Sequence, residues 1–281
     1  MPAAISTTIT MMMMSEPVAS PSFLAMAGLD PAMAKASALA PPMSPSMQQP
    51  MHPSAPSPIP EHTYQAQPQG LLNLLAWLSP GFPTGAFAYS HGLEWAVEAG
   101  DISDANTLQA WVADILTYGS GRNDAILLRH AYRAACNSAA LDQLAAFAAA
   151  IAPSRERLTE TLDQGTAFLR AVQAWGCPEM PDPIAYPVAV GALAGWHRIE
   201  EHAIAAAYVQ AFASNLISAA VRLIPLGQTA GLQVLAAIQP SVLRTAHETA
   251  AATLDDIGGC AFRADLASML HENQYTRLFR T

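Results

Sequence analysis

Residues 104–119 read Asp-Ala-Asn-Thr-Leu-Gln-Ala-Trp-Val-Ala-Asp-Ile-Leu-Thr-Tyr-Gly, and they decide the fold class. Leu108, Trp111, Val112, Ile115 and Leu116 fall at i, i+3, i+4, i+7 and i+8, so they form one apolar stripe at helical period. Asp104 stands where an N-cap belongs, because its side chain can accept a free N–H of the first turn. Gly119 and Gly121 mark the end. A second helix is expected from about Asn123, with Ile126, Leu127, His130 and Ala131 as its stripe.

The same pattern repeats outward from this stretch. Leu141–Ile151 and Arg155–Trp175 read as helices, stopped by Pro153 and by the run from Gly176 to Pro178. Pro183 and Pro187 open another toward Trp196. Its Gly191 and Gly195 lie four apart and allow a neighbouring helix to come close. Helices near 200–223 and 227–250 follow, the latter bent at Pro240. No alternating β-branched run is long enough for a sheet, so the expected fold is an all-α single-domain helical bundle. Residues 203–221 carry no charge and are long enough to span a membrane. However, Gln210, Ser214, Ser218 and Arg222 recur every four residues on one face, which describes an amphipathic helix of a soluble bundle.

Composition sets the limits on either side of that bundle. Residues 1–69 are crowded with Met, Pro, Ser and Ala and hold few large apolar residues, so a disordered extension is expected there. Residues 70–254 form the helical domain. Residues 255–281 change character again: Gly258 and Gly259 break the pattern, and no sustained helical stripe follows. This segment is expected to be a C-terminal docking tail. The net charge is −9, and the only lysine is Lys35. With no basic residue between Lys35 and Arg122, nucleic acid is excluded as a partner. Three scattered cysteines, Cys136, Cys177 and Cys260, suit a reducing cytoplasm without disulfides. No Gly-x-x-x-x-Gly-Lys motif occurs, so the chain is not a phosphate-cradling NTPase. His197 and His202 are five apart, about 140° around a helix, and make no metal site, and no cofactor is implied.

Residues 79–94, Ser-Pro-Gly-Phe-Pro-Thr-Gly-Ala-Phe-Ala-Tyr-Ser-His-Gly-Leu-Glu, are the other informative stretch. Pro80, Pro83 and Gly85 shape a rigid turn, and Phe82 needs a surface to pack on. Ala88-Tyr89-Ser90-His91-Gly92 approximates the nucleophile elbow of a serine hydrolase. That alternative requires a preceding strand and a reactive Ser90, and Phe-Pro-Thr-Gly is no strand.

Ser79-Pro80, Phe82-Pro83, Gly85 and Ser90-His91-Gly92-Leu93-Glu94 resemble the signature of the urease accessory protein UreF family. The chain end, His271-Glu272-Asn273-Gln274-Tyr275-Thr276-Arg277-Leu278-Phe279-Arg280, resembles that family's tail, and the resemblance spans roughly residues 70–281. It implies a helical, homodimeric, non-catalytic chaperone in the cytoplasm. Such a protein forms a scaffold with a UreD-type (UreH-type) accessory protein and recruits the GTPase UreG for nickel insertion into apo-urease. It also implies a partner-binding surface made of Phe87, Tyr89, Ser90, His91, Gly92 and Glu94 from the turn, and His271, Tyr275, Arg277 and Phe279 from the tail. If the tail is extended, Tyr275, Arg277 and Phe279 face one side together. Arg277 is then expected to meet the partner rather than an acid of its own bundle.

Overall fold

The computed structural model describes residues 68–281, so the extension expected over residues 1–69 lies almost wholly outside the described residues. Among the described residues every regular element is helical and no strand occurs. In chain order the α-helices are α1 (Pro68–Trp77), α2 (Leu93–Glu98), α3 (Ala105–Tyr118), α4 (Ser120–Arg133) and α5 (Ser138–Ala150). They continue with α6 (Arg155–Ala171), α7 (Tyr186–Trp196), α8 (Glu201–Leu223), α9 (Gly227–Glu248) and α10 (Phe262–His271).

Polar side chains start these helices. Asp104 Oδ1 accepts from the Thr107 N–H at 2.8 Å, and Thr107 Oγ1 accepts in return from the Asp104 N–H at 3.0 Å. Asn137 and Ser154 cap α5 and α6 in the same way. Each such cap is worth about 1 kcal/mol, because it satisfies an N–H that has no partner within the helix. The helix expected from Asn123 begins three residues earlier, at Ser120: only Gly119 leaves the helical path, and α4 starts directly after it. Helix α9 runs unbroken through Pro240.

Helices α4 and α7 form the centre of the bundle. A Cβ at Gly191 or Gly195 would overlap the carbonyl oxygen of Leu128 or Tyr132, so these glycines let the two backbones touch. Helix α8 is long and apolar enough to cross a membrane by length and composition. Within the bundle it packs against α2, α3, α4 and α9, burying Ile204, Tyr208, Leu216 and Ile217. Buried Arg129 and half-exposed Arg133 of α4 secure the C-terminal end of α9, donating to the carbonyls of Ala246 (2.5 Å) and Ala250 (2.8 Å). Glu201 pairs with both guanidinium groups and adds α8 to the junction. Positive charge is favoured at a helix C-terminus, where carbonyls lack partners.

The tail departs from expectation. Residues 262–271 form a regular helix, α10, which packs on α2 and α6 and buries Ala264, Ala267, Ser268 and His271. Its buried stripe is small and polar, while the large residues Phe262, Leu266 and Met269 lie on the exposed face. A search for large apolar residues at helical spacing therefore passes over it. Gly258 and Gly259 do not release the segment either, for the Gly259 carbonyl accepts from Asn123 Nδ2 at 3.1 Å.

Candidate functional site

The turn at residues 79–94 and the chain end at residues 271–281, some 190 residues apart in sequence, are in contact. The turn begins with Phe82, whose ring lies 5.6 Å from Phe168 and 6.0 Å from Trp175. Gly85 takes φ 77° and leads into one 3-10 turn, Ala86–Ala88. This turn lifts Phe87 into solvent, with its ring stacked on the Arg222 guanidinium at 3.7 Å. Phe279 of the tail, buried, stacks on the same guanidinium at 4.3 Å. The chain then reverses through two residues at positive φ, His91 (59°) and Gly92 (77°), and enters α2. Gly92 is irreplaceable on a second count: a Cβ there would stand 2.6 Å from the Ser268 backbone nitrogen of α10.

The tail closes over this turn through main-chain hydrogen bonds. Arg280 N–H donates to the Ala88 carbonyl at 2.8 Å, and the Ser90 N–H donates to the Thr281 carbonyl at 2.5 Å. Ser90 Oγ donates to that same carbonyl at 2.6 Å. Glu94, at the start of α2, accepts from the backbone N–H groups of Leu278 (2.6 Å) and Phe279 (2.9 Å). His271 is fully buried between Glu94 Oε2, 3.3 Å from its Nε2, and Glu156 Oε2, 2.7 Å from its Nδ1. Glu156 also accepts from Arg277 Nη1 at 2.9 Å.

Helix α6 supplies the second wall. Its Glu156, Glu160 and Gln164 lie at steps of four and continue into Phe168, so a buried polar stripe prolongs the apolar one. Burial alone would raise the Glu160 carboxyl. The paired Arg157 guanidinium and the neighbouring His91 outweigh this and bring it down to about 2. Burial and the Arg157 charge push the His91 imidazole below its usual value, and its Nε2 lies 2.7 Å from Ser120 Oγ. Tyr89 donates to Asp163 at 2.8 Å, and burial together with that carboxylate holds the phenol well above its usual pKa.

Ser90, His91, Gly92, Glu94, His271 and Phe279 are therefore interior residues, and Tyr89 has little exposure. Arg277 does pair with an acid of its own bundle, contrary to expectation, although 40% of its side chain remains exposed. Tyr275, Arg277 and Phe279 do not share a side: Tyr275 is fully exposed while Phe279 is buried, because Glu94 seizes two consecutive N–H groups and turns the chain between them. The exposed face of the site consists of Phe87, Tyr275, the edge of Arg277, and Leu278, which was not singled out from sequence. Glu156, Arg157, Glu160 and Arg222 were also missed; the step-of-four polar stripe on α6 was the signal available for the first and third.

A nucleophile elbow is not what this geometry makes. Ser90 Oγ is buried under a main-chain carbonyl, and the segment leading to it is a turn. His197 and His202 are separated by a helix break at Arg198 (φ 53°) and serve other partners, the Gly176 carbonyl and the Arg129 guanidinium. No cluster of three metal-ligating side chains occurs among the described residues, and all three cysteines are free.

The UreF family model matches residues 102–239. The urease accessory protein UreF of Rhodopseudomonas palustris (strain BisA53) is 52% identical over 221 residues, covering 75% of this chain and 93% of the relative. That of Methylobacterium sp. (strain 4-46) is 51% identical over 220 residues, covering 75% and 88%. That of Mesorhizobium japonicum is 49% identical over 222 residues, covering 78% of this chain and all of the relative. With about half of the aligned residues identical across three quarters of this chain and nearly the full length of these relatives, the chain belongs to the UreF family of urease accessory proteins.

Proposed function

We propose that this protein is a non-catalytic assembly chaperone. In the cytoplasm, as a homodimer, it joins a UreD-type accessory protein, and the pair recruits and regulates the GTPase UreG as nickel is delivered into apo-urease. Nickel in this reading is cargo, and the chain supplies surfaces rather than ligands. The observation that carries the reading is the closure of the tail over the turn. Glu94 holds the tail by two main-chain hydrogen bonds, and the closed unit presents the side chains of Phe87, Tyr275 and Leu278 to solvent. Exposed aromatic and aliphatic side chains beside arginines on a fixed backbone are what interface hot spots favour. The buried members Ser90, His91, Gly92, Glu94, His271 and Phe279 act as the frame that fixes this face.

Co-purification tests it. Tyr275→Ala combined with Leu278→Ser should leave the melting temperature unchanged, since both side chains are solvent-exposed. Capture of the UreD-type protein should weaken by about thirtyfold or more, the effect of losing about 2 kcal/mol at a hot spot. Normal capture by that variant would remove the tail face from the interface.

A further inference from the structure

A second feature lies beside that face. A groove of about 750 Å³ runs between α4, α5, the start of α6, the segment around Leu254–Cys260 and α10. Its walls are apolar: Leu127, Phe147, Ile151, Leu254, Phe262 and Leu266. Phe262 and Leu266 belong to the exposed face of α10 and keep 71% and 41% of their surface open to solvent. This volume lies within the range of sites that bind a ligand or peptide, and its lining follows the usual rule of an apolar trough with a few polar groups.

Those polar groups carry a charge. Asp124, Asp255 and Asp265 line the groove against one cation, Arg157, which is already paired with Glu160 of its own helix. Neither Asp255 nor Asp265 forms an ion pair among the described residues.

We infer that the groove receives an amphipathic basic segment of the UreD-type partner, with large apolar side chains along the trough and a lysine or arginine at the rim against Asp255 and Asp265. This rests on the tail face being the site of that partner's docking, since α10 serves both. Charge complementarity selects the occupant. A second copy of this chain, at net charge −9, meets the acidic rim with like charge. Residues 1–67 of the same chain are no better suited, with one cation, Lys35, against Glu16, Asp30 and Glu61.

The test uses the co-purified complex of the full chain with the UreD-type protein. A photoreactive benzoylphenylalanine at Leu266 should cross-link to a partner peptide that joins apolar residues to Lys or Arg. The same probe at Leu243, exposed on α9, is the control. Leu266→Glu, an exposed position whose change leaves folding intact, should weaken capture about thirtyfold. Asp255→Asn with Asp265→Asn should weaken it about tenfold and flatten its dependence on salt. Full capture by all these variants would overturn the inference, as would cross-links from position 266 that run only to residues 1–67, to a second copy, or to nothing. Failure of the unsubstituted chain to capture the partner at all would instead overturn the reading of the tail face on which this one rests.

Discussion

Glu94→Ala is the sharpest probe of the site, because a single carboxylate holds two consecutive backbone N–H groups of the tail. Hydrogen bonds to charged groups contribute about 1.5–3 kcal/mol each, so the pair to Leu278 and Phe279 sums to about 3–6 kcal/mol before relaxation. The variant does not lose all of this. The tail can undock, and its N–H groups then return to water. The docking free energy of the tail caps the loss, and about 3 kcal/mol is the expected fall in the cost of opening it. That corresponds to a loss of roughly a hundredfold in hydrogen-exchange protection for peptides covering residues 272–281. The α4–α7 centre keeps its contacts, so protection there should stay within a few-fold of the parent. Phe87→Ala, which removes an exposed ring and no tail hydrogen bond, serves as control. Protection of residues 278–279 within threefold of the parent in Glu94→Ala would refute the claim that this carboxylate latches the tail.

Gly92→Ala should cost well over 2 kcal/mol in urea denaturation, since positive φ and overlap with the Ser268 backbone act together. Gly85→Ala, at the same φ but with open space around its Cβ, should cost only about 1 kcal/mol, the conformational penalty alone. Asp124, which accepts from the Tyr208 hydroxyl at 2.9 Å, has its carboxyl raised to about 6 by desolvation, against which Arg157 and that hydroxyl work only in part. A raised acid binds its proton more tightly in the folded protein, so folding stability falls as pH rises from about 4 to about 6. Asp124→Asn should therefore be more stable than the parent above pH 6, by on the order of 1–3 kcal/mol. The two proteins should converge as pH falls toward 4, and a constant difference across that range would count against a buried, ionising Asp124.

The helices from α3 to α9 were legible in the sequence because each carries its own evidence. The stripe of Leu108, Trp111, Val112, Ile115 and Leu116 predicts one buried face, and Asp104 predicts where the helix starts. The close contact expected of Gly191 and Gly195 is likewise local information, since only a missing Cβ permits it. Helix α10 escaped because its buried face is made of Ala264, Ala267 and Ser268, and a stripe of small residues has no hydrophobic signal of its own. The sequence by itself determined the all-helical bundle and the two motifs. Only the tertiary structure decided that they form one closed unit, in which Glu94 faces Leu278 and Phe279, Arg277 turns to Glu156, and Tyr275 is left outside. The reason is physical: helical periodicity and capping act within a few residues. The pairing of a carboxylate with an N–H group some 184 positions away depends on how α2, α6 and α10 pack, and no local pattern encodes that.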